Sequence, residues 1–488
     1  MTPDPAHDST GDMPPAAFRE HGYAVVDRIA SYLEEVGELP VLSPVEPGWV
    51  ADQLPATPPS DPESMEQILA DVDAIVVPGL THWNHPAFHA YFAITGSGPG
   101  ILGEALTAAF NVNGMLWRTS PAATELEQVT LDWLRQLLEL PAGFAGVIMD
   151  TASMATLVAL AAAREAAGLQ IRTQGMAGRA DLPPLAIYAS TETHSSIEKA
   201  AITLGLGQRS VRKVDVDEAY RMDPGALRHT MLEDLRAGVR PLAVVPTVGT
   251  TATTSIDPVT AIADVRDEIE EELGGKVWLH VDGAYGGLAA ICEEHRHVLD
   301  GVERADSFVT NPHKWLFTPI DCSAFYVRDP DVLTTAFSLV PDYLETTDHD
   351  VTNYMDWGVQ LGRRFRALKL WMVIRWFGAD GLAARIREHV RLAGLVVDWV
   401  EQHPDLELAA PAPFSTVCFR AALDDHDDLD ALNAALMERV NRSGRAYLSH
   451  TVLDGRYTLR LAIGNLRTTE ERLRDTLALV DEHLADLA

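Results

Sequence analysis

Lys314 lies in Asn311-Pro312-His313-Lys314-Trp315-Leu316 and is one of five lysines, at 199, 213, 276, 314 and 369. Lysine and arginine together number 38, so 33 are arginines and the chain meets its need for positive charge almost wholly with guanidinium groups. A guanidinium stays protonated, whereas an amine can lose its proton and attack a carbonyl to form a Schiff base. A lysine that caps a strand or pairs with an acid is the ordinary alternative, and the company Lys314 keeps decides against it. Asp282 follows the run Val277-Trp278-Leu279-His280-Val281 and precedes Gly283-Ala284-Tyr285-Gly286-Gly287. An acid at the end of a buried strand is costly unless paired, and a protonated ring nitrogen is a suitable partner. The glycines beyond it are expected to let a flat ligand approach. At Asp150-Thr151-Ala152-Ser153-Met154 a strand is expected to turn directly into a helix, whose hydroxyls and free amides suit a phosphate. His194, in Thr193-His194-Ser195-Ser196, follows another expected strand by a short loop; a lone histidine is ordinarily a structural hydrogen bonder, and beside the lysine, acid and phosphate groups a ring stacked over the cofactor is the other reading. An amine, a carboxylate for a ring nitrogen, a phosphate cradle and a stacking imidazole together describe a site for pyridoxal phosphate (PLP).

The elements that must position these groups follow from periodicity. Residues 16–36 read as an amphipathic helix, residues 41–62 as a proline-rich strap and residues 64–75 as a second helix. From residue 98 to 330 short apolar runs at 146–149, 185–189, 242–246, 277–281, 307–310 and 324–327 alternate with helical stretches such as 154–167 and 259–273. That alternation predicts an α/β fold with a mostly parallel sheet, with ligands bound beyond the carboxyl ends of the strands. The last hundred residues read as a smaller α/β domain: helix 382–403, a strand near 417–419, helix 429–443, a strand near 457–462 and a final helix. The expected division is an N-terminal helical arm over 1–97, a large domain over 98–371 and a small C-terminal domain over 372–488.

Composition narrows the partners. The chain has 488 residues, 47% of them hydrophobic, which is ample for a packed core. Its formal charge of −33 repels phosphate backbones and anionic membranes, so nucleic acid and membrane are not expected partners. Cys292, Cys322 and Cys418 are far apart and lack metal-ligand spacing, so buried thiols and no metal are expected. Residues 1–15 do not read as a targeting segment, and the longest apolar run, 157–163, ends at Arg164 and Glu165. A cytoplasmic protein is the expectation.

These motifs resemble the group II PLP-dependent decarboxylases, most closely the aromatic L-amino acid decarboxylase branch. The likeness runs from residue 16 to about 462. It includes Val45-Glu46-Pro47-Gly48, Thr81-His82-Trp83, Ala90-Tyr91-Phe92, Ser120-Pro121-Ala122, Thr124-Glu125-Leu126-Glu127, Thr156-Leu157-Val158-Ala159-Leu160, His280-Val281-Asp282 and Leu361-Gly362-Arg363-Arg364-Phe365-Arg366. The resemblance implies fold type I of PLP enzymes, with an arm that embraces a partner subunit and a homodimer whose active sites lie at the interface. It implies that Lys314 carries the cofactor, Asp282 pairs with the pyridine nitrogen, His194 stacks on one ring face, Ala284 packs under the other and Thr251 assists near Asp282. Thr151, Ala152, Ser153, Asn311 and His313 would hold the phosphate. Tyr343, in Pro341-Asp342-Tyr343-Leu344, matches a mobile-loop tyrosine that returns a proton to the substrate Cα after carbon dioxide leaves.

For substrate, the resemblance implies an aromatic pocket at Trp83, Tyr91 and Phe92. The chain departs from the animal enzymes at Ala93 and Ile94, where they carry Pro-Thr, and at Asn113 and Met115, where they carry isoleucine and phenylalanine. Gly362 stands where plant relatives with glycine accept indoles and those with serine prefer phenols, which tilts the expectation toward tryptophan-like substrates. The leading expectation is decarboxylation to the amine. The alternatives are an oxidative decarboxylase that releases an aromatic aldehyde, a decarboxylase of a non-aromatic amino acid, an aminotransferase, or an inactive regulatory homologue.

Overall fold

The computed structural model describes residues 11–339, 348, 350–424 and 426–487. All six expected strands of the central region form, each with its ends within two residues of the apolar run that predicts it. With one more strand they make a seven-stranded sheet: β1 (Ala145–Met149), β2 (Leu185–Ser190), β3 (Val211–Val214), β4 (Arg240–Val245), β5 (Trp278–Asp282), β6 (Ser307–Thr310) and β7 (Ser323–Val327). Their order across the sheet is β1-β7-β6-β5-β4-β2-β3. Strands β3, β2, β4, β5 and β6 are mutually parallel. Strand β7 runs antiparallel to β6, and β1 antiparallel to β7, so only β7 is reversed. Strands β2, β5, β6 and β7 are buried along their whole length, which is why they read as continuous apolar runs. The strand not expected, β3, is Val-Arg-Lys-Val at the sheet edge; only its two valines are buried, and its charged centre hides it.

The helix Ala152–Ala166 packs on the sheet through buried Ala155, Val158, Ala159, Ala162 and Ala163, whose small side chains permit close approach. The helix Val259–Leu273 forms as expected. The long segment Ala367–Gln402 begins well before the expected residue 382 and is helical except at Gly378 (φ 65°, ψ 170°). It packs on the helices Gly98–Phe110 and Pro121–Leu137, and a Cβ added to Gly103 would stand 2.7 Å from the Lys369 Cα.

The chain divides into two compact units, one of residues 1–93, 421–461 and 467–488 and the other of residues 94–420 and 462–466. Residues 372–420 thus group with the sheet, because the long helical segment packs there, rather than with the C-terminal remainder. Within the first unit the helix Pro15–Glu35 buries no residue, and Phe18 and Tyr23 are 66% and 67% exposed. Helices Leu429–Arg442 and Glu470–Ala485 pack together in that unit. Among the described residues no helix is long and apolar enough to cross a membrane, and no cluster of metal-ligating side chains occurs. Cys292, Cys322 and Cys418 are buried and form no disulfide.

Several buried histidines are held neutral. Burial lowers His280 and His389 to about 4, and burial together with the Lys314 charge lowers His313 to about 3, against an ordinary value of 6.5. His389 is fixed in that state: its Nδ1 accepts the Trp315 indole N–H at 2.9 Å and its Nε2 lies 3.1 Å from the Asn465 carbonyl. Between pH 6.5 and 4 the unfolded chain binds protons that the folded chain refuses, so stability falls as pH falls. The urea midpoint should therefore drop on acidification from pH 7 to 5, by about 2 kcal/mol in free energy for each such histidine. His389→Gln should flatten that dependence; a pH-independent midpoint would contradict the assignment.

Candidate active site

Because β7 alone is reversed, the carboxyl ends of β1, β2, β4, β5 and β6 leave the sheet at one edge, where β7 begins. Every PLP-site residue named from the sequence, apart from Tyr343, sits on a segment that starts at that edge. Asp150 to Ser153 follow β1, His194 follows β2, Thr251 follows β4, Asp282 ends β5, and Asn311 to Lys314 follow β6.

The turn that carries Lys314 is rigid. Trp315 is fully buried, stacks on Tyr285 (centroids 4.6 Å apart, planes at 9°) and donates to His389. On the other side, His313 is buried, its backbone N–H donates to the Cys322 carbonyl at 3.2 Å, and its Nδ1 accepts the Cys322 N–H at 3.0 Å. The Lys314 N–H donates to the Asn311 carbonyl at 2.8 Å. With its neighbours committed inward, the half-buried Lys314 is fixed at its backbone. Lys213, Lys276 and Lys369 are each paired with a carboxylate, Lys369 with Glu104 while only 1% exposed.

Asp282 is 4% exposed, and its Oδ1 accepts the Ala284 N–H at 3.0 Å. Among the described residues its Oδ2 takes no hydrogen bond. A buried carboxylate with one uncommitted oxygen fits a protonated ring nitrogen. His194 and Lys314 complete the electrostatics. Desolvation lowers the His194 pKa, the Asp282 charge opposes that shift, and the charges of Lys314 and Lys199 add to it. The Ser196 backbone N–H donates to His194 Nδ1 at 3.1 Å, so the neutral ring carries its proton on Nε2. The glycines after Asp282 have a different reason from the one expected. A Cβ at Gly283 would meet the Phe308 ring at 2.5 Å, and one at Gly286 would meet Phe414 and the Val248 backbone at 2.7 Å. Close packing of the protein on itself, not approach of a flat ligand, requires glycine there.

Thr151 caps the helix Ala152–Ala166 by accepting the Met154 N–H at 3.4 Å, and its hydroxyl donates to Asp150 Oδ1 at 3.1 Å. The backbone N–H groups of Ala152 and Ser153 have no protein acceptor among the described residues, which fits a phosphate at the helix N-terminus. Asn311 is tied to the same edge: its N–H donates to the Ala284 carbonyl at 3.1 Å and its Oδ1 accepts the Ser323 hydroxyl at 2.7 Å. Thr251 is exposed in the loop after β4 and makes no hydrogen bond among the described residues.

Asn113, Met115 and Gly362 come together. Asn113 Nδ2 donates to Met115 Sδ at 3.4 Å, and a Cβ added at Gly362 would lie 3.7 Å from Asn113 Nδ2. Trp83, Tyr91 and Phe92 lie in the other compact unit, where Trp83 stacks with Phe88 (4.4 Å) and with Tyr91 (5.7 Å), and Arg460 lies 4.5 Å over the Phe92 ring. Tyr343 lies outside the described residues.

Two supports were not singled out from the sequence. Asp257 is buried and closes the loop that carries Thr251: its carboxylate accepts the Met222 and Thr247 N–H groups at 2.7 Å each, while burial raises its pKa to about 7. Lying directly before Pro258, it reads in sequence as an ordinary helix cap. Arg363 and Glu127 form a buried ion pair at 2.6 Å. Arg363 also donates to the Ile148 carbonyl at 3.0 Å and lies 4.5 Å over the Tyr354 ring, and Glu127 accepts the Ile148 N–H at 2.8 Å. Both residues fall in quoted motifs, yet nothing local says that they pair.

The sheet topology, the anchored lysine turn, the buried carboxylate and the helix-terminal amides fit a PLP-dependent enzyme of fold type I. Comparison with known proteins narrows this. The model for the pyridoxal-dependent decarboxylase conserved domain matches residues 47–422, and the chain belongs to that family. It is similar to tyrosine/DOPA decarboxylase 2 of Papaver somniferum, with 39% identity over 98% of this chain and 94% of that one. Phenylacetaldehyde synthase of a Rosa hybrid cultivar is 40% identical over 97% of this chain and 95% of its own. Among solved structures, Oryza sativa TDC with PLP and tryptamine superposes with a TM-score of 0.92 at 40% identity, covering 97% of this chain and 98% of that one. The protein is thus a PLP-dependent amino acid decarboxylase.

Breaking the Arg363–Glu127 pair should leave a buried charge. Arg363→Met is expected to destabilise the fold by about 3–5 kcal/mol, and Arg363→Met with Glu127→Met by clearly less. Urea unfolding of the single and double variants checks this; equal losses would deny the pair its place.

Proposed function

We propose that the protein decarboxylates an aromatic L-amino acid to its amine and carbon dioxide, with tryptophan-like side chains favoured. The observation that carries the reading is the buried Asp282 carboxylate, with one uncommitted oxygen, in electrostatic contact with His194 next to Lys314. The relatives named for tyrosine, DOPA and phenylacetaldehyde, and the rice protein solved with tryptamine, support an aromatic substrate. Gly362 supports an indole, since it leaves room beside Asn113 where a larger residue would fill it.

When bound, the cofactor supplies an electron sink for the breaking bond to the carboxylate. Asp282 would hold a proton on the ring nitrogen, and the neutral His194 would cover one ring face without adding charge, with Ala284 on the other. The Ala152 and Ser153 amides, with Thr151, Asn311 and His313, would anchor the phosphate, and Thr251 would stand beside Asp282. Lys314 would carry the cofactor by its amine and give it up to the substrate amine. Tyr343 would deliver a proton to the substrate Cα from its phenol. That last proton separates amine from aldehyde, and because relatives of similar identity bear both kinds of name, the tyrosine at 343 is what favours the amine here. The uncovered apolar face of Pro15–Glu35 supports a homodimer in which this helix packs on the second subunit.

Purified protein with added PLP, in air, surveyed by mass spectrometry against tryptophan, tyrosine, phenylalanine, dopa and 5-hydroxytryptophan should yield the amine from at least one of them. Lys314→Ala should abolish it, by a factor of at least about 10³, and Tyr343→Phe should divert product to aldehyde with peroxide. Aldehyde from the unaltered protein, or no product from any aromatic amino acid, would overturn the reading.

A further inference from the structure

Asp282 is not the only polar group buried on its face of β5. Side chains alternate along a strand, so Trp278, His280 and Asp282 share one face, and Trp278 packs there in the apolar layer under the helix Ala152–Ala166. His280 is 0% exposed in that layer. Its Nδ1 lies 2.9 Å from the Ser307 hydroxyl, and the same oxygen accepts the Trp278 indole N–H at 2.8 Å. A hydroxyl that accepts from an indole still has its own proton to give, and Nδ1 is the acceptor in reach, so the neutral ring carries its proton on Nε2. That Nε2 is buried and has no hydrogen-bond partner among the described residues. A buried donor without an acceptor is costly, and an apolar side chain would fill the same place without that cost. Asp282 supplies the reason for a histidine. It lies two positions on, roughly 7 Å along the strand, within reach of an imidazole on the same face. The two groups act on each other: the Asp282 charge opposes the lowering that burial imposes on His280. Thr247, bridged to Asp282 from the segment after β4, also buries a hydroxyl with no partner among the described residues, so the carboxylate stands among polar atoms that lack partners of their own.

We propose that His280 is a positioning residue for the decarboxylation: its Nε2–H donates to the Asp282 carboxylate, directly or through one bound water, and holds that group ionised and oriented for the cofactor ring nitrogen. The inference rests on the reading that Asp282 meets the ring nitrogen of PLP. A cation in the place of His280 would pair with Asp282 itself and compete with the ring nitrogen. A neutral donor stabilises the carboxylate and leaves its charge for the ring. Burial, which lowers His280 to about 4, keeps it a neutral donor near pH 7.

The test is the dissociation constant of PLP, read from the absorption of the bound cofactor, in the unaltered protein, His280→Phe, Asp282→Asn and the double variant. His280→Phe keeps a flat ring and removes the donor; it should weaken PLP binding by about tenfold, and His280→Gln, which restores an N–H, should recover most of that loss. In the Asp282→Asn background, where no carboxylate is left to support, adding His280→Phe should change the constant by less than about twofold. A loss of equal size in both backgrounds is a packing effect and overturns the proposal, as does an unchanged constant in His280→Phe. If Asp282→Asn itself leaves PLP affinity unchanged, the reading of Asp282 falls and the proposal with it, an outcome distinct from equal losses. A crystal structure of the unaltered protein with PLP bound depends on no variant. It should place His280 Nε2 in hydrogen-bond contact with the Asp282 carboxylate, directly or through one ordered water, and a different acceptor at Nε2 overturns the proposal.

Discussion

A carboxylate that is 4% exposed at the end of a buried strand must be compensated, and much of this structure is organised around Asp282. Among the described residues its carboxylate takes one hydrogen bond, from the Ala284 amide, which does not offset the hydration that a carboxylate loses on burial. Around it stand one protonatable imidazole held neutral, one lysine on a rigid turn, and a set of backbone amides at a helix N-terminus. In the proposed site Asp282, the imidazole, the lysine and the amides would meet the ring nitrogen, a ring face, the aldehyde and the phosphate of PLP in turn. The protein's own elements hold that charge pattern in place, and the complementary charges of PLP would complete it.

Rigidity comes from how the neighbours of each reactive group are spent. Trp315 and His313 are both buried and hydrogen-bonded, so Lys314 is fixed at its base. Asp257 closes the loop that carries Thr251, and the Arg363–Glu127 pair ties the segment at Asn113 to β1. A buried ion pair contributes little net stability against apolar residues of similar size, so its effect here is to fix one arrangement of three distant segments.

The placement of the candidate site was legible in the sequence because it depends on local pattern. The apolar runs that became β1, β2, β4, β5, β6 and β7 mark strand ends, and the candidate residues follow those ends directly. Strand β3 was not legible, since Arg212 and Lys213 break its apolar run and only tertiary packing makes it a strand. Gly283 and Gly286 were legible as necessary but not for their reason, which is the distant rings of Phe308 and Phe414. The partnership of Glu127 with Arg363 spans 236 positions and leaves no local mark. The role of Tyr343 rests on motif likeness alone.

The most direct test of the place given to Asp282 is the protonation state of the ring nitrogen in the reconstituted enzyme, read by nitrogen NMR with ¹⁵N-labelled PLP at neutral pH. A protonated nitrogen in the unaltered protein that becomes unprotonated in Asp282→Asn is the expected result. An unprotonated nitrogen in the unaltered protein, or one whose state ignores the substitution, would contradict it.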